Sequence, residues 1–251
     1  KMHNAVAITP TYSMYKVAAE INDVEVREVQ LEEDFSLDAD KLLAATDANT
    51  RLLWLCSPNN PTANSFPTAT IERIIREFAG IVVLDEAYID FAAEPGFLSR
   101  LGEFPNLIVL QTLSKAWGMA GLRLGLAFAD PLIVATLSNV KYPYNVNGPT
   151  QQTVLERLAG SPAAQVAEIL SERRRVAATL QPMKVVRKLY PSDANFVLVK
   201  VDEPRKVYDR LIAAGIIVRD RSRMQGCEGC LRITIGTPEE NTRLLEVMAQ
   251  L

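Results

Sequence analysis

The sequence lacks the features that mark several broad classes of protein. Its formal net charge is only −3, with 23% charged residues, and the pI is about 5.4. This balance gives no electrostatic reason to expect nucleic acid or an anionic membrane as a partner. No apolar run reaches the length of a membrane span, and the first residues do not resemble a signal peptide.

Cysteine and histidine are also scarce. Three cysteines, Cys56, Cys227 and Cys230, are too few for a disulfide framework. Cys227 and Cys230 have CxxC spacing, but no second pair accompanies them and His3 is the single histidine. We therefore expect no metal site and no redox centre, and we expect the reducing cytoplasm as the location. Any other role of the CxxC pair stays open.

The remaining composition is that of an ordinary globular protein. The chain has 251 residues, of which 48% are hydrophobic, enough for one large core or two modest ones. Strands and helices alternate through the first part, which predicts an α/β fold with a mostly parallel sheet and crossover helices. From Ser161 onward the pattern changes to a smaller α+β unit. We place a large domain at residues 1–165 and a small C-terminal domain at 166–251.

Apolar runs give the predicted elements. In the first part they predict strands at Ala5–Ile8, Glu25–Leu31, Arg51–Cys56, within Ile81–Tyr88, Leu107–Thr112 and Leu124–Ala129, with a helix around Ile71–Phe78. In the second part they predict helices at Ala163–Leu180 and Pro204–Ala214, and strands at Val185–Val186, Phe196–Val201, Ile216–Arg219 and Leu231–Ile235. Thr237 and Glu240 have the spacing of a capping box that opens a last helix to Gln250.

The stretch Thr112–Gly125 contains the most informative chemistry. Lys115 lies among small and apolar residues, and a lysine shielded from water loses its proton readily and can form a Schiff base with an aldehyde. Thr112, Ser114 and Arg123 are suited to a phosphate. An amine for an aldehyde beside groups for a phosphate indicates pyridoxal 5′-phosphate (PLP). The alternative is a glycine-rich loop with a surface lysine and a solvated arginine.

Further candidates follow the ends of the predicted strands. Asp85 ends one strand and is a possible partner for a protonated ring nitrogen, and Tyr88 is a possible donor to a ring oxygen. Asn60 lies in the turn-rich stretch after Cys56, and Tyr12 follows the first strand. Ligands of open α/β sheets bind at the carboxyl ends of strands. Taken singly, each residue also has a structural explanation, as helix cap, metal ligand, turn residue or loop aromatic.

Two arginines of the second part leave a question open. Strand alternation puts Arg232 on the face opposite the neighbouring isoleucines. That face is either exposed to solvent or turned toward the cleft between the two units. Arg219 raises the same question.

Several motifs together resemble one family. They are Pro10–Tyr12, Ser57–Thr62, Asp85–Tyr88, Thr112–Lys115, Gly121–Arg123 and Leu231–Ile233. In this order they are similar to those of fold-type I PLP aminotransferases, and most similar to the histidinol-phosphate aminotransferase family. The resemblance covers essentially the whole chain. It implies transamination of L-histidinol phosphate with 2-oxoglutarate in histidine biosynthesis, by a cytoplasmic homodimer.

The resemblance also implies a role for each matching residue. Lys115 would form the Schiff base, and Asp85 would pair with the pyridine nitrogen, both as catalytic residues together with Tyr88. Tyr88 and Asn60 would donate to the ring oxygen, and Tyr12 would stack on the ring. The cofactor phosphate would bind Thr112, Ser114 and Arg123. The substrate would meet Asn60, Arg219 and Arg232.

The sequence departs from the family pattern in two places. Ala63 stands where the family usually has glycine, which would cost about 1 kcal/mol if the position needs a positive φ. The family's N-terminal part is also missing, including groups that bind the cofactor phosphate and a tyrosine lent to the neighbouring subunit. We therefore expect the sequence to be a piece of a longer protein, and the activity of this piece alone is in question.

Other functions share most of these motifs. Aromatic and aspartate aminotransferases, phosphothreonine decarboxylases and β-lyases would differ only in their substrate contacts. A non-catalytic PLP-binding sensor module of a transcription regulator is a further alternative. That reading requires a basic helix-turn-helix upstream, and the sequence contains none.

Overall fold

A six-stranded sheet forms the larger part of the computed structural model, which describes residues 2–251. Its strands run in the order β2-β1-β3-β4-β5-β6. The first five are parallel, and β6 is antiparallel to β5. The strands are β1 (Asn4–Thr9), β2 (Glu25–Gln30), β3 (Thr50–Cys56), β4 (Ile81–Asp85), β5 (Leu107–Thr112) and β6 (Gly125–Ala129). The predicted α/β class with a mostly parallel sheet is confirmed.

Helices connect most of the parallel strands. They are α1 (Met14–Ile21), α2 (Ala39–Ala44) and α3 (Thr68–Glu77). The prediction of a crossover helix is wrong between β4 and β5, where the chain forms only short 3₁₀ helices, Ile89–Phe91 and Leu98–Glu103. Phe97 and Phe104 are buried there in the core of the large sheet, so separate aromatic side chains take the place of a helix face.

Two helices that we did not predict follow β6. They are α4 (Pro131–Val140) and α5 (Gly148–Leu158). Apolar side chains on and between them are exposed, so their burial pattern does not show the usual core-facing stripe. No helix within residues 2–251 is long and apolar enough to cross a membrane.

The second sheet is smaller and antiparallel, with the order β7-β8-β10-β9. Its strands are β7 (Val186–Leu189), β8 (Phe196–Val201), β9 (Arg219–Asp220) and β10 (Cys230–Thr234). The accompanying helices are α6 (Ala163–Leu180), α7 (Pro204–Ala213) and α8 (Pro238–Met248). The capping box at the start of α8 is present, since Thr237 and Glu240 each accept from the other's backbone N–H.

One predicted strand of this part is wrong. Ile216–Arg219 was expected to be a strand, but β9 begins only at Arg219. Gly215 turns the chain at φ 76° after α7, and Ile217 is then 80% exposed. Only Val218 of the apolar run is buried, so the run has no sheet partner before Arg219.

Helix α6 spans the predicted boundary between residues 165 and 166. Its side chains Val176 and Leu180 pack in the core of the small sheet, whereas its Leu170 packs near Phe91 of the larger part. The helix therefore contacts both parts, and the division at this residue stays a prediction.

The departure at Ala63 has a local structural cost. Its φ is 72°, in the left-handed region that glycine adopts more easily, and the residue is fully buried. Backbone hydrogen bonds hold it there: its N–H donates to Asn59 O at 2.8 Å, and its O accepts from Asp193 N–H at 2.7 Å. The tight loop after β3 is thus kept despite the side chain.

Asn59 joins the loops that follow β1 and β3. Its side chain is fully buried and donates to Pro10 O at 2.9 Å and to Thr62 Oγ1 at 2.7 Å. It also accepts from Thr11 Oγ1 at 2.7 Å. Since Thr11 and the neighbouring Asn60 line the cavity described below, Asn59 fixes the position of both loops.

We predict that Asn59→Ala lowers the free energy of unfolding by about 2–3 kcal/mol, because it leaves buried polar partners unpaired. Asn22→Ala, which removes one hydrogen bond at an exposed site, is the control and should change stability by about 0.5 kcal/mol or less. Urea unfolding of both variants measures the difference. Equal stability of the two variants would contradict the role of Asn59.

Candidate active site

A cavity of about 700 Å³ lies at the carboxyl ends of the parallel strands. The loops after β1, β3, β4 and β5 line it, and the small sheet contributes its remaining wall. All ten site residues predicted from the sequence line this one cavity: Tyr12, Asn60, Asp85, Tyr88, Thr112, Ser114, Lys115, Arg123, Arg219 and Arg232. The ten positions are spread over most of the chain, so the fold itself brings them together.

Asp85 is the carboxylate of the cavity and ends β4. Its Oδ2 accepts from the Tyr15 hydroxyl at 2.6 Å, and its Oδ1 accepts from the backbone N–H of Ala87 at 3.0 Å. Burial raises the pKa of Asp85, whereas these two donors and the positive charge of Lys115 lower it. The carboxylate is thus partly buried, and burial opposes its charge while specific partners support it.

Lys115 follows β5, and its side chain is accessible to solvent within the same cavity. Its Nζ lies 5.4 Å from the centre of the Tyr88 ring. Burial lowers the pKa of Lys115, the positive charges of Arg232 and Arg123 lower it further, and Asp85 opposes them. A lowered pKa increases the fraction of neutral amine, which is the nucleophilic form. The lysine is therefore chemically distinct from a surface lysine.

The loop after Lys115 returns the chain beside β5. Gly125 pairs with Thr112 in the β5–β6 ladder, so Arg123 comes back close to the strand end from which Lys115 extends. The Thr112 hydroxyl accepts from the Ser114 N–H at 3.1 Å. Arg123 has a left-handed backbone, with φ 54°, and donates from Nη1 to Ala120 O at 2.9 Å. Hydroxyls and a guanidinium thus occupy one stretch of the cavity wall, as expected.

Arg232 connects the small sheet to the large one. Its Nη1 donates to Asn60 Oδ1 at 2.7 Å, and its guanidinium lies 4.9 Å from the centre of the Phe196 ring. Leu231 and Ile233 on the opposite face pack in the small core. Of the two open possibilities, Arg232 therefore faces the cleft and not the solvent.

Arg221 is a third cavity arginine that our sequence analysis missed. It lines the cavity with Arg219 and Arg232, and Arg219 is the register partner of Arg232 in the β9–β10 pair. The Nε atoms of Arg221 and Arg232 are buried without a hydrogen-bond partner in the described chain. The spacing of Arg219 and Arg221, two residues apart in extended chain, was a signal that both side chains share a face.

Comparison with known proteins assigns the family. A model of aminotransferase class I and II matches residues 2–248. The chain belongs to this family. The histidinol-phosphate aminotransferase of Parabacteroides distasonis is 52% identical over 252 residues, covering 100% of this chain and 73% of that protein. That of Bacteroides thetaiotaomicron is 49% identical, covering 98% of this chain and 71% of that protein.

A solved structure agrees with the fold of this aminotransferase. The crystal structure of the histidinol-phosphate aminotransferase from Clostridium acetobutylicum superposes with a TM-score of 0.93. The match covers 99% of this chain and 78% of that chain, at 22% sequence identity. At this identity the likeness shows a shared fold.

The three thiols of the aminotransferase are buried, and Cys56 is the one that lines the cavity. Burial raises the pKa of Cys227 to about 12 and that of Cys230 to about 11, so both thiols are protonated at neutral pH. Cys56 lines the cavity, and burial raises its pKa also. Thiolate is the form that binds metals and attacks electrophiles, so these three groups are arranged for packing.

We predict that Lys115 reacts with a small acylating reagent with a pH midpoint below the usual lysine value. Removing a positive neighbour in Arg232→Gln should move the midpoint upward, toward that usual value. Arg174→Gln, at an exposed position outside the cavity, should leave it unchanged. Mass spectrometry of the labelled peptide at graded pH gives the midpoints. A midpoint that does not respond to Arg232→Gln would contradict the electrostatic coupling.

Proposed function

We propose that this aminotransferase transfers the amino group of L-histidinol phosphate to 2-oxoglutarate in histidine biosynthesis, with PLP as cofactor. One observation carries the proposal: three arginines that form no ion pair within the described residues share a cavity with Lys115 and the partly buried Asp85. The arginines suit a substrate that carries a phosphate, and the lysine suits a substrate that carries an amine. The curated relatives cited above carry the corresponding name.

The residues present fit PLP by their chemistry. The cofactor has an aldehyde, a pyridine nitrogen and a phosphate, which require an amine, a carboxylate and a cationic or hydroxyl-rich site. Lys115, Asp85 and Arg123 supply these groups within one cavity of about 700 Å³. When bound, PLP supplies an electron sink for the charge that develops on the substrate α-carbon.

Other residues would hold the ring and the phosphate of the cofactor. We assign Tyr12, which is 43% exposed at the cavity, to stacking on the ring. Tyr88 and Asn60 would donate to the ring oxygen. Thr112 and Ser114 would hold the phosphate together with Arg123.

Lys115 would act first as the covalent anchor and then as the proton carrier. Its lowered pKa favours the neutral amine, which would hold the cofactor through its aldehyde carbon with loss of water. Once the substrate amine had displaced it, the freed lysine would accept the proton from the substrate α-carbon. The same amine would return the proton to the cofactor carbon that carried the aldehyde. Since the Lys115 side chain is exposed within the cavity, it keeps freedom to reach both atoms.

Asp85 would keep the ring nitrogen protonated. A carboxylate that accepts from two donors and has little contact with water interacts strongly with a nearby positive charge. Tyr88, whose pKa burial raises to about 12, stays a hydroxyl donor at neutral pH.

The arginines of the small sheet would bind the substrate phosphate. Burial lowers the pKa of Arg232, and the neighbouring charges of Arg221 and Arg219 lower it further. Like charges held together in a partly buried place are relieved by an anion, and a phosphate accepts paired hydrogen bonds from guanidinium groups. We therefore add Arg221 to the substrate residues Asn60, Arg219 and Arg232.

The oligomeric state and the location of the enzyme are also proposals. We propose a homodimer, which is supported by exposed apolar side chains on and near α4, including Leu132, Val140, Tyr142 and Tyr144. Exposed apolar groups in such number are typical of a surface that another chain covers. A cytoplasmic location is consistent with the low cysteine count.

We predict that Lys115→Ala abolishes the visible, borohydride-bleachable absorbance of PLP bound to the full-length protein and abolishes turnover. Lys184→Ala, which changes an exposed lysine outside the cavity, should retain both. Absorbance spectra before and after borohydride treatment make the measurement. Survival of absorbance and turnover in Lys115→Ala would overturn the assignment of this lysine.

We also predict that Arg221→Gln raises the KM for L-histidinol phosphate about tenfold or more, with a smaller change in kcat, because a charge-assisted hydrogen bond to substrate is lost. Arg223→Gln is the matched control, since this exposed neighbour does not line the cavity. L-histidinol, which lacks the phosphate, should show the same KM with both variants. An unchanged KM for the phosphorylated substrate would remove Arg221 from the site.

A substrate panel separates the alternatives. Steady-state rates of the full-length protein with L-histidinol phosphate, aspartate, phenylalanine and phosphothreonine should be highest for L-histidinol phosphate. No turnover of L-histidinol phosphate, with turnover of another member, would replace the proposed reaction by a related PLP reaction.

A further inference from the structure

Tyr15 lies next to the site without being one of the residues predicted for it. It is the second residue of α1 and is 5% exposed. Its hydroxyl donates to Asp85 Oδ2 at 2.6 Å, although the two residues are 70 positions apart in the sequence. A hydrogen bond to an ionised oxygen is shorter and stronger than one between neutral groups. The phenol is thus a direct partner of the cavity carboxylate.

The ring of Tyr15 is held by aromatic neighbours on two sides. It stacks on Trp54 of β3, with ring centres 4.8 Å apart and planes inclined by 14°. It meets Tyr12 edge-on, with ring centres 5.5 Å apart and an inclination of 84°. Both geometries are favourable for aromatic pairs. The ring therefore has little freedom, and its hydroxyl stays directed at Asp85.

The surroundings of Asp85 show why such a donor is needed. The titratable groups around it are Tyr15 on α1, Cys56 on β3, Glu86 and Tyr88 in its own loop, and Lys115 after β5. Only Lys115 carries a positive charge. Its pKa is lowered, so this support weakens when the amine becomes neutral.

The support that the Tyr15 hydroxyl gives to the charge of Asp85 does not weaken in this way. Burial raises the pKa of Tyr15 far above its ordinary value, and the charge of Asp85 raises it further. The phenol therefore remains protonated, and a donor, at neutral pH. Together with the backbone N–H of Ala87, it is a permanent partner of the carboxylate.

We propose that Tyr15 is a positioning residue that keeps Asp85 ionised and correctly oriented toward the ring nitrogen of the cofactor, an inference that rests on the proposed PLP function. Through its edge-on ring contact, Tyr15 also fixes Tyr12, which is assigned to stacking on the face of the cofactor ring. One phenol thus links the two groups that define where a flat ring lies.

The first test needs no cofactor. Tyr15→Phe keeps the aromatic packing and removes only the hydroxyl, and Tyr190→Phe does the same at another buried tyrosine in contact with Phe35, outside the cavity. The carboxyl band of Asp85, identified by subtraction of Asp85→Asn, is followed by infrared difference spectroscopy across pH in cofactor-free protein. Tyr15→Phe should shift the protonation midpoint of Asp85 upward, because a donor to the charged form is lost. Tyr190→Phe should leave it unchanged.

The second test uses PLP binding to the same proteins. Tyr15→Phe should weaken PLP binding about tenfold, because Asp85 loses the charge-assisted hydrogen bond that orients it toward the cofactor. In an Asp85→Asn background the same change should have little further effect, because the two residues act as a unit. An unshifted Asp85 midpoint, or equal PLP losses with and without Asp85, would overturn the inference. If the wild-type protein binds no PLP but Tyr15→Phe still shifts the midpoint of Asp85, the proposed function is overturned and the Tyr15–Asp85 coupling stays in place.

Discussion

The site depends on the contacts that support the negative charge of Asp85. Burial opposes that charge, and the Tyr15 hydroxyl, the Ala87 N–H and the charge of Lys115 support it from three separate segments. These segments meet because β1, β4 and β5 run parallel and end at one edge of the sheet. A different strand direction at any of them would separate the carboxylate from one of the groups that lower its pKa.

The small sheet supplies charge of the opposite sign. Arg219, Arg221 and Arg232 line the cavity, and none of them forms an ion pair within the part of the chain that the structure describes. Charges held near one another without a counterion raise the free energy of the empty site, and an anionic ligand lowers it. The large sheet thus provides the carboxylate and the amine, and the small sheet provides most of the attraction for an anion.

Much of this arrangement could be predicted because it depends on local patterns. The buried strands β3, β4 and β5 are apolar runs, and the polar residue at the end of each run is directly visible in the sequence. Asn60, Asp85 and Lys115 could be placed at the cavity in this way, whereas the roles of Arg219 and Arg232 came from the family resemblance. Tyr15 could not be predicted, because its role comes from contacts with Trp54 and Asp85, which lie far from it in the sequence. The exposed helix α4 and the short 3₁₀ helices before β5 were missed because neither segment has a regular apolar period.

The hydrogen bond between Asn60 and Arg232 joins side chains 172 positions apart, one from the loop after β3 and one from β10. Its consequence concerns how the protein loses its binding ability. If the four-stranded sheet opens locally, Arg232 and its neighbours leave the cavity even while the six-stranded sheet stays folded. The lifetime of a complete site is therefore set by the less stable of the two sheets, and amide exchange in β10 reports on it more directly than global unfolding does.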